Sequence, residues 1–167
     1  MTLDAIRAGS RVFIDASIFI YHFTGASAEC RGLLERCERL EVKGVTSVVA
    51  VAETAHRLML LEALSRGLVS GGNLIRKLRE KPDMVRQLQL YREQVERIPL
   101  MGVSVVPLDL KGLLRSAELR DRHGLLVNDS LIATSARDLG VKALASADED
   151  FGRVPELQLY RPADLPA

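Results

Sequence analysis

Short apolar runs alternate along the chain with longer stretches in which apolar residues recur every three or four positions. RVFI at 11–14 predicts a first strand, short, β-branched and buried on both faces. The next segment places Cys30, Leu33, Leu34, Cys37 and Leu40 at helical spacing until Gly44 breaks the pattern. VTSVV (45–49) predicts a second strand, and from Val51 to Ser65 the spacing is helical again. RGLVSGG (66–72) marks a turn. Residues 73–98 predict two helices broken near Pro82, with Met84, Leu88, Tyr91, Val95 and Ile98 forming a stripe. Such a stripe requires a partner surface, in the same domain or in another subunit. VSVVPL (103–108) predicts a third strand, followed by a helix carrying Leu110, Leu113, Leu114 and Ala117. A helix capped by Asn128 leads to VKALAS (141–146), a fourth strand, and LQLY (157–160) predicts a fifth.

Short strands alternating with amphipathic helices predict an α/β sandwich around a parallel sheet of about five strands. No internal repeat, low-complexity tract or linker divides the 167 residues, so a single domain over 1–167 is expected, with a helical insertion at about 66–100. Apolar residues make up 47% of the chain and Trp is absent, which predicts an aliphatic core. Cys30 and Cys37 share a helix face roughly 10 Å apart, too far for a disulfide, and read as core residues. Asp15 interrupts the only apolar stretch near the N-terminus, and no segment reaches the ~18 uncharged apolar residues of a membrane span; a soluble, cytoplasmic protein is expected.

The charge balance of 23 basic and 22 acidic side chains excludes a polycationic arm and leaves nucleic-acid binding to the local distribution of charge. Arg76, Lys77, Arg79, Lys81, Arg86, Arg92 and Arg97 gather positive charge in the helical region, interspersed with Glu80, Asp83, Glu93 and Glu96. That composition fits a solvated outer face or a surface tracking phosphates.

Four acids stand where strands hand over to helices or loops: Asp15, Glu53, Asp129 and Asp148. Each has an ordinary explanation taken alone. Asp15 fits a helix N-cap, Asp129 complements a helix dipole, Asp148 fits a turn, and Glu53 fits a solvated helix face. In a parallel sheet, however, all four reach the same carboxyl edge, where ligands bind. Carboxylates gathered there repel one another unless a cation sits among them, and all-oxygen ligands select Mg²⁺ or Mn²⁺. No HExxH, P-loop, GxGxxG or GxSxG motif competes, and His22, His56 and His123 are scattered.

At these residues the chain resembles the PIN-domain ribonucleases, and within them the toxins of VapBC-type toxin–antitoxin pairs. FIDASIFIY, VTSVVAVAETAHRL, ELRDRHGLLVNDSLIATSARDLG and LASADEDF are similar to the family's four motifs, in that order. The resemblance implies a three-layer α/β/α sandwich and a metal site formed by Asp15, Glu53, Asp129 and Asp148, with Asp150 able to share or replace the role of Asp148. Ser17 and Ser146 match the family's small polar and hydroxyl residues beside the first and fourth acids. The resemblance also implies Mg²⁺-dependent endoribonuclease activity, a homodimer and a small cognate antitoxin. A non-catalytic RNA- or protein-binding module and a DNA- or structure-specific nuclease are the alternatives. Arg57, one turn after Glu53, is the candidate phosphate contact, its alternative role being a salt bridge to Glu53.

Overall fold

The structure is a computed structural model and describes residues 1–165. Strand β1 (Arg11–Ile14) lies at its centre: Val12 and Ile14 enter one apolar cluster, Phe13 enters the other, and all three are fully buried. A strand buried on both faces needs helices above and below the sheet. Strands β2 (Lys43–Ser47) and β4 (Ala143–Ala145) flank it, while β3 (Val103–Val106) and β5 (Gln158–Tyr160) form the edges. The order is β3-β2-β1-β4-β5 and every pairing is parallel. Helices α1 (Ala16–Thr24) and α2 (Ala28–Glu38) bring Ile18, Phe19, Leu33 and Leu34 to the first cluster. Helices α7 (Leu110–His123) and α8 (Val127–Asp138) bring Leu119, Ile132, Ala133 and Ala136 to the second. The result is the expected three-layer α/β/α sandwich. Cys30 and Cys37 are buried free thiols in its core, and burial pushes both up to about 11. Among the described residues no helix is long and apolar enough to cross a membrane.

The third, fourth and fifth strands are shorter than the expected 103–108, 141–146 and 157–160, and two other boundaries differ from expectation for a local reason. The run VTSVV is not one strand: β2 stops at Ser47, and Val48 opens helix α3 (Val48–Ser65). The Ser47 side chain accepts from the Ala50 amide at 3.3 Å, so a capping hydroxyl splits an apolar run that periodicity reads as continuous. Asn128 is not the cap of α8 either. That helix starts at Val127 without a side-chain cap, and Asn128 lies in its first turn, donating from Nδ2 to Glu53 Oε2 at 3.3 Å.

The helical region after α3 contains three short helices rather than two: α4 (Leu74–Arg79), α5 (Pro82–Arg86) and α6 (Leu90–Arg97). Pro82 opens α5 as expected. The second break is imposed from α3, where the buried Glu62 carboxylate accepts from the amides of Gln89 at 3.1 Å and Tyr91 at 3.0 Å. Arg66 pairs with Glu62 at 3.4 Å and donates to the Gln87 carbonyl at 2.6 Å. Leu88 packs with Ala63, Val69 and Leu78 beside Met84 and Tyr91, and Ile98 joins the main core. The stripe therefore finds its partner within the same chain.

Burial opposes ionisation of Glu62, but hydrogen bonds from the Tyr91, Gln89 and Leu90 amides and from Arg66 outweigh it and hold its pKa below the ordinary value. A depressed carboxylate contributes stability that is present above its ordinary pKa of 4.5 and lost as pH falls through the folded value. Glu62→Ala is expected to cost about 2–3 kcal/mol by leaving those donors unpaired. Hydrogen exchange should show residues 74–97 losing protection first; unchanged protection there would refute the clasp.

Candidate active site

From β1 the chain winds outward through β2 to β3, then returns to place β4 against the other side of β1. Connections leave β1 and β4 in opposite directions, which opens a crevice between their carboxyl ends. Asp15 follows β1 directly and Ser146–Asp148 follow β4 directly, so the crevice is lined by residues about 130 positions apart in sequence.

Asp15 is almost wholly buried and caps α1. Its Oδ2 accepts from the Ser17 amide at 3.3 Å, from Ser17 Oγ at 2.6 Å and from Ser146 Oγ at 2.7 Å. Each hydroxyl in turn accepts from the loop after β4: Ser17 Oγ from the Ala147 amide and Ser146 Oγ from the Asp148 amide, both at 3.0 Å. The two serines thus fasten the ends of β1 and β4 together through one carboxylate oxygen. Among the described residues the other oxygen, Oδ1, has no protein donor.

Glu53 comes from the second turn of α3 and is held by Asn128. Asp129 stands in the first turn of α8, where the helix dipole favours an anion. Asp148 caps the 149–153 turn by accepting from the Asp150 amide at 2.8 Å. These three acids, Asp15, Ser17 and Arg57 line one cleft of about 550 Å³, with Ile20, Tyr21, Leu60, Leu61 and Leu74 completing its wall. Burial, then the charges of Asp148, Asp15, Glu53 and Asp150, push Asp129 up to about 6. The carboxylates therefore share one electrostatic environment. Among the described residues no three acids, histidines or cysteines close tightly enough to grip an ion outright.

Asp150 pairs with Arg153 at 2.7 Å and is not among the residues lining the cleft, whereas Asp148 is. Arg57 is exposed and has no ion pair among the described residues, so the expected alternative of a salt bridge to Glu53 is not formed. Much of the basic cluster is occupied elsewhere: Arg76 pairs with Glu80, Arg86 with Asp83, and Lys77 donates to the Ser70 and Gly71 carbonyls. Sequence reasoning missed Asn128 as the partner of Glu53, although its position beside Asp129 placed it at the same strand edge. It also missed the apolar wall, to which α4 contributes Leu74. The donor set is carboxylate oxygen throughout, and Asp129 is raised first by burial and then by its acidic neighbours; both fit a hard divalent cation.

A search of curated proteins finds similarity to a ribonuclease, VapC2 of Methanocaldococcus jannaschii, 23% identical over 151 residues, covering 90% of this chain and 93% of the relative. Among solved structures, VapBC2 from Rickettsia felis bound to a DNA fragment from its promoter has a TM-score of 0.58 at 17% identity, covering 91% of this chain and 98% of that one. VapC20 of Mycobacterium tuberculosis, a sarcin–ricin loop cleaving toxin, has a TM-score of 0.57 at 17% identity, covering 86% and 95%. A toxin–antitoxin complex from Klebsiella pneumoniae follows with a TM-score of 0.52 at 17% identity, covering 88% and 95%. These structures share the fold. The PIN domain family model matches residues 12–157, a span that contains all four acids and both serines, and the chain belongs to the PIN domain family.

Proposed function

We propose that the protein is a metal-dependent endoribonuclease that hydrolyses RNA phosphodiester bonds with Mg²⁺ or Mn²⁺, acting in the cytoplasm as the toxin of a toxin–antitoxin pair. The observation that carries this reading is the cleft at the β1–β4 crevice, which four carboxylates line without an ion pair to any of them among the described residues and where Asp129 is pushed up to about 6 by burial and its acidic neighbours. In this reading Asp15, Glu53, Asp129 and Asp148 hold the cation. Asp148 serves in preference to Asp150 because it lines the cleft, whereas Asp150 is paired with Arg153. Ser17 and Ser146 fix one oxygen of Asp15 so that the other remains for the ion, and Asn128 orients Glu53. Arg57 meets a backbone phosphate at the cleft. A bound divalent ion supplies water activation and neutralises the charge developing on the phosphate and the leaving 3′-oxygen. The acids themselves need not shuttle protons, which suits a site without histidine.

The ribonuclease name of the Methanocaldococcus relative and the sarcin–ricin cleavage of the Mycobacterium neighbour support RNA as the substrate. The Klebsiella toxin–antitoxin complex supports a small protein partner. Exposed Leu110, Leu113 and Leu114 on α7 favour self-association into a homodimer. Residues 1–167 act as one unit, with the segment at about 66–100 as an insertion that supplies Leu74 to the cleft wall.

Incubating the purified protein with total cellular RNA and mapping new ends tests the reading. Cuts at restricted positions are expected with Mg²⁺ or Mn²⁺, and none with EDTA. Cleavage that persists in EDTA would overturn the metal mechanism. Intact RNA with either ion, beside cleaved DNA or no cleavage of either polymer, would overturn the ribonuclease assignment.

A further inference from the structure

The amino edge of the sheet, opposite the acidic cleft, carries the reverse charge. Lys43 and Arg11 are paired residues in the β2–β1 register, and Lys142 and Arg11 immediately precede the paired residues Ala143 and Val12 of β4 and β1. Two neighbouring parallel strands therefore begin with a cation, about 4.8 Å apart, and a third cation immediately precedes the next strand, β4. Register places Arg11 and Lys43 on one face of the sheet, the face where Phe13 and Val45 enter the second cluster, and Lys142 shares a cleft with Arg11. Like charges placed side by side in a sheet are destabilising. A cleft of about 640 Å³ lies beside the row and includes Arg7, Arg11 and Lys142 with no acidic residue in its lining.

The ordinary role of cations at this edge is to satisfy helix C-termini, and it accounts for one of the four. Arg11 donates to the Leu139 carbonyl at the end of α8 at 3.2 Å. Among the described residues Arg7, Lys43 and Lys142 have no ion pair and no side-chain hydrogen bond, and all three are exposed. Glu156 shares an adjoining cleft with Lys142 without pairing to it.

Resting on the ribonuclease reading, we infer that Arg7, Arg11, Lys43 and Lys142 form a strip that binds the phosphodiester backbone of RNA on the far side of the sheet from the acidic cleft. The strip recognises phosphate spacing rather than base identity, since its lining provides a row of charges and no aromatic stacking platform besides the buried Tyr160. β1 spans only about 13 Å, so one RNA chain can pass from the strip around the sheet to the cleft. The strip lets the protein hold a long RNA while the acidic cleft, which repels phosphate until a cation is bound, waits for the scissile segment.

The test measures binding of a single-stranded RNA of about twenty nucleotides across a range of salt concentrations, in a D15N background that prevents cutting. Arg7→Gln, Lys43→Gln and Lys142→Gln are combined, leaving Arg11 to cap α8. Three lost phosphate contacts should reduce the slope of log K against log[salt] by about 2. A control carrying Arg31→Gln and Lys111→Gln, exposed cations on α2 and α7, should change it by much less. An unchanged slope in the triple variant overturns the strip, as does an equal fall in the control, which would assign the effect to net charge. Loss of polyglutamate binding without a change in RNA slope also overturns it, in favour of an acidic protein partner. RNA cleavage by the unsubstituted protein is followed in parallel. Active enzyme with an unchanged slope removes only the strip, whereas absent cleavage with a reduced slope removes the nuclease reading and supports the strip.

Discussion

Asp15→Asn is expected to lower RNA cleavage by about 10²- to 10³-fold, or more, while the fold remains intact. The network around Asp15 explains why charge and fold separate at this position. Three donors converge on Oδ2 alone, from the Ser17 amide, Ser17 Oγ and Ser146 Oγ. An asparagine carbonyl placed at the Oδ2 position accepts the same three bonds, so the cap of α1 and the link between β1 and β4 survive. Its amide then occupies the Oδ1 position, where it presents a donor instead of a negative charge to an incoming cation. The measurement is single-turnover cleavage of a defined RNA, with circular dichroism and thermal melting as controls for folding. Cleavage at the unsubstituted rate in a folded Asp15→Asn protein would eliminate Asp15 from the chemistry.

The second large effect concerns Asp129 and runs in opposite directions with and without metal. In the folded protein its pKa is raised from 3.8 to about 6, so between those values the folded state holds the proton more tightly than the unfolded chain. Its favourable contribution is therefore greatest below about 3.8 and is lost as pH rises through about 6. At pH 7 the ionised group opposes folding. Asp129→Asn should raise Tm in EDTA at pH 7 by about 2–4 °C, a modest figure because the side chain is only half-buried and solvent screens it. Lowering the pH below 4 should erase that advantage. Added Mg²⁺ or Mn²⁺ should stabilise the unsubstituted protein by mass action, by about 2.7 kcal/mol at a hundredfold excess over Kd, and stabilise Asp129→Asn far less. Calorimetric melts with and without metal at two pH values check the sign of each effect. A lower Tm for Asp129→Asn in EDTA at pH 7, or an equal metal response, would remove the charge-crowded site on which the reading depends.

These opposing effects reflect how the site is assembled. Burial around Asp129 and four neighbouring acids make the metal-free cleft unfavourable, and the same features favour a cation there. Proteins commonly accept local instability where a ligand must bind. Here the cost is limited because Ser17, Ser146 and Asn128 organise Asp15 and Glu53 through hydrogen bonds that do not neutralise their charge.

Local chemistry made much of the fold legible. The run of Val12, Phe13 and Ile14 marks a doubly buried strand, and helical spacing from Cys30 to Cys37 marks the layer that covers it. Asp15 as an N-cap and Asp129 in a helix first turn followed from residue type and position. Errors arose where a distant residue overrode a local pattern or one small side chain divided a run. Ser47 turned half of VTSVV into helix by accepting one amide. Glu62, 27 residues before Gln89, capped α6 and divided a helix whose periodicity is continuous. Asn128 has the composition of a cap, but Glu53 stands within reach of its side chain and no cap bond forms.

The sequence by itself determined the alternation of strands and helices, the residue types at each strand end and hence the oxygen-only donor set. These depend on period, chain stiffness and ionisable groups, which are local properties. Tertiary structure alone decided that β4 returns beside β1, that Asp148 lines the cleft while Arg153 occupies Asp150, and that Ser146 reaches Asp15 across 131 positions of chain. A carboxylate's role depends on the charges and donors within a few ångströms of it, and at this site strand order brings those neighbours together from distant parts of the chain.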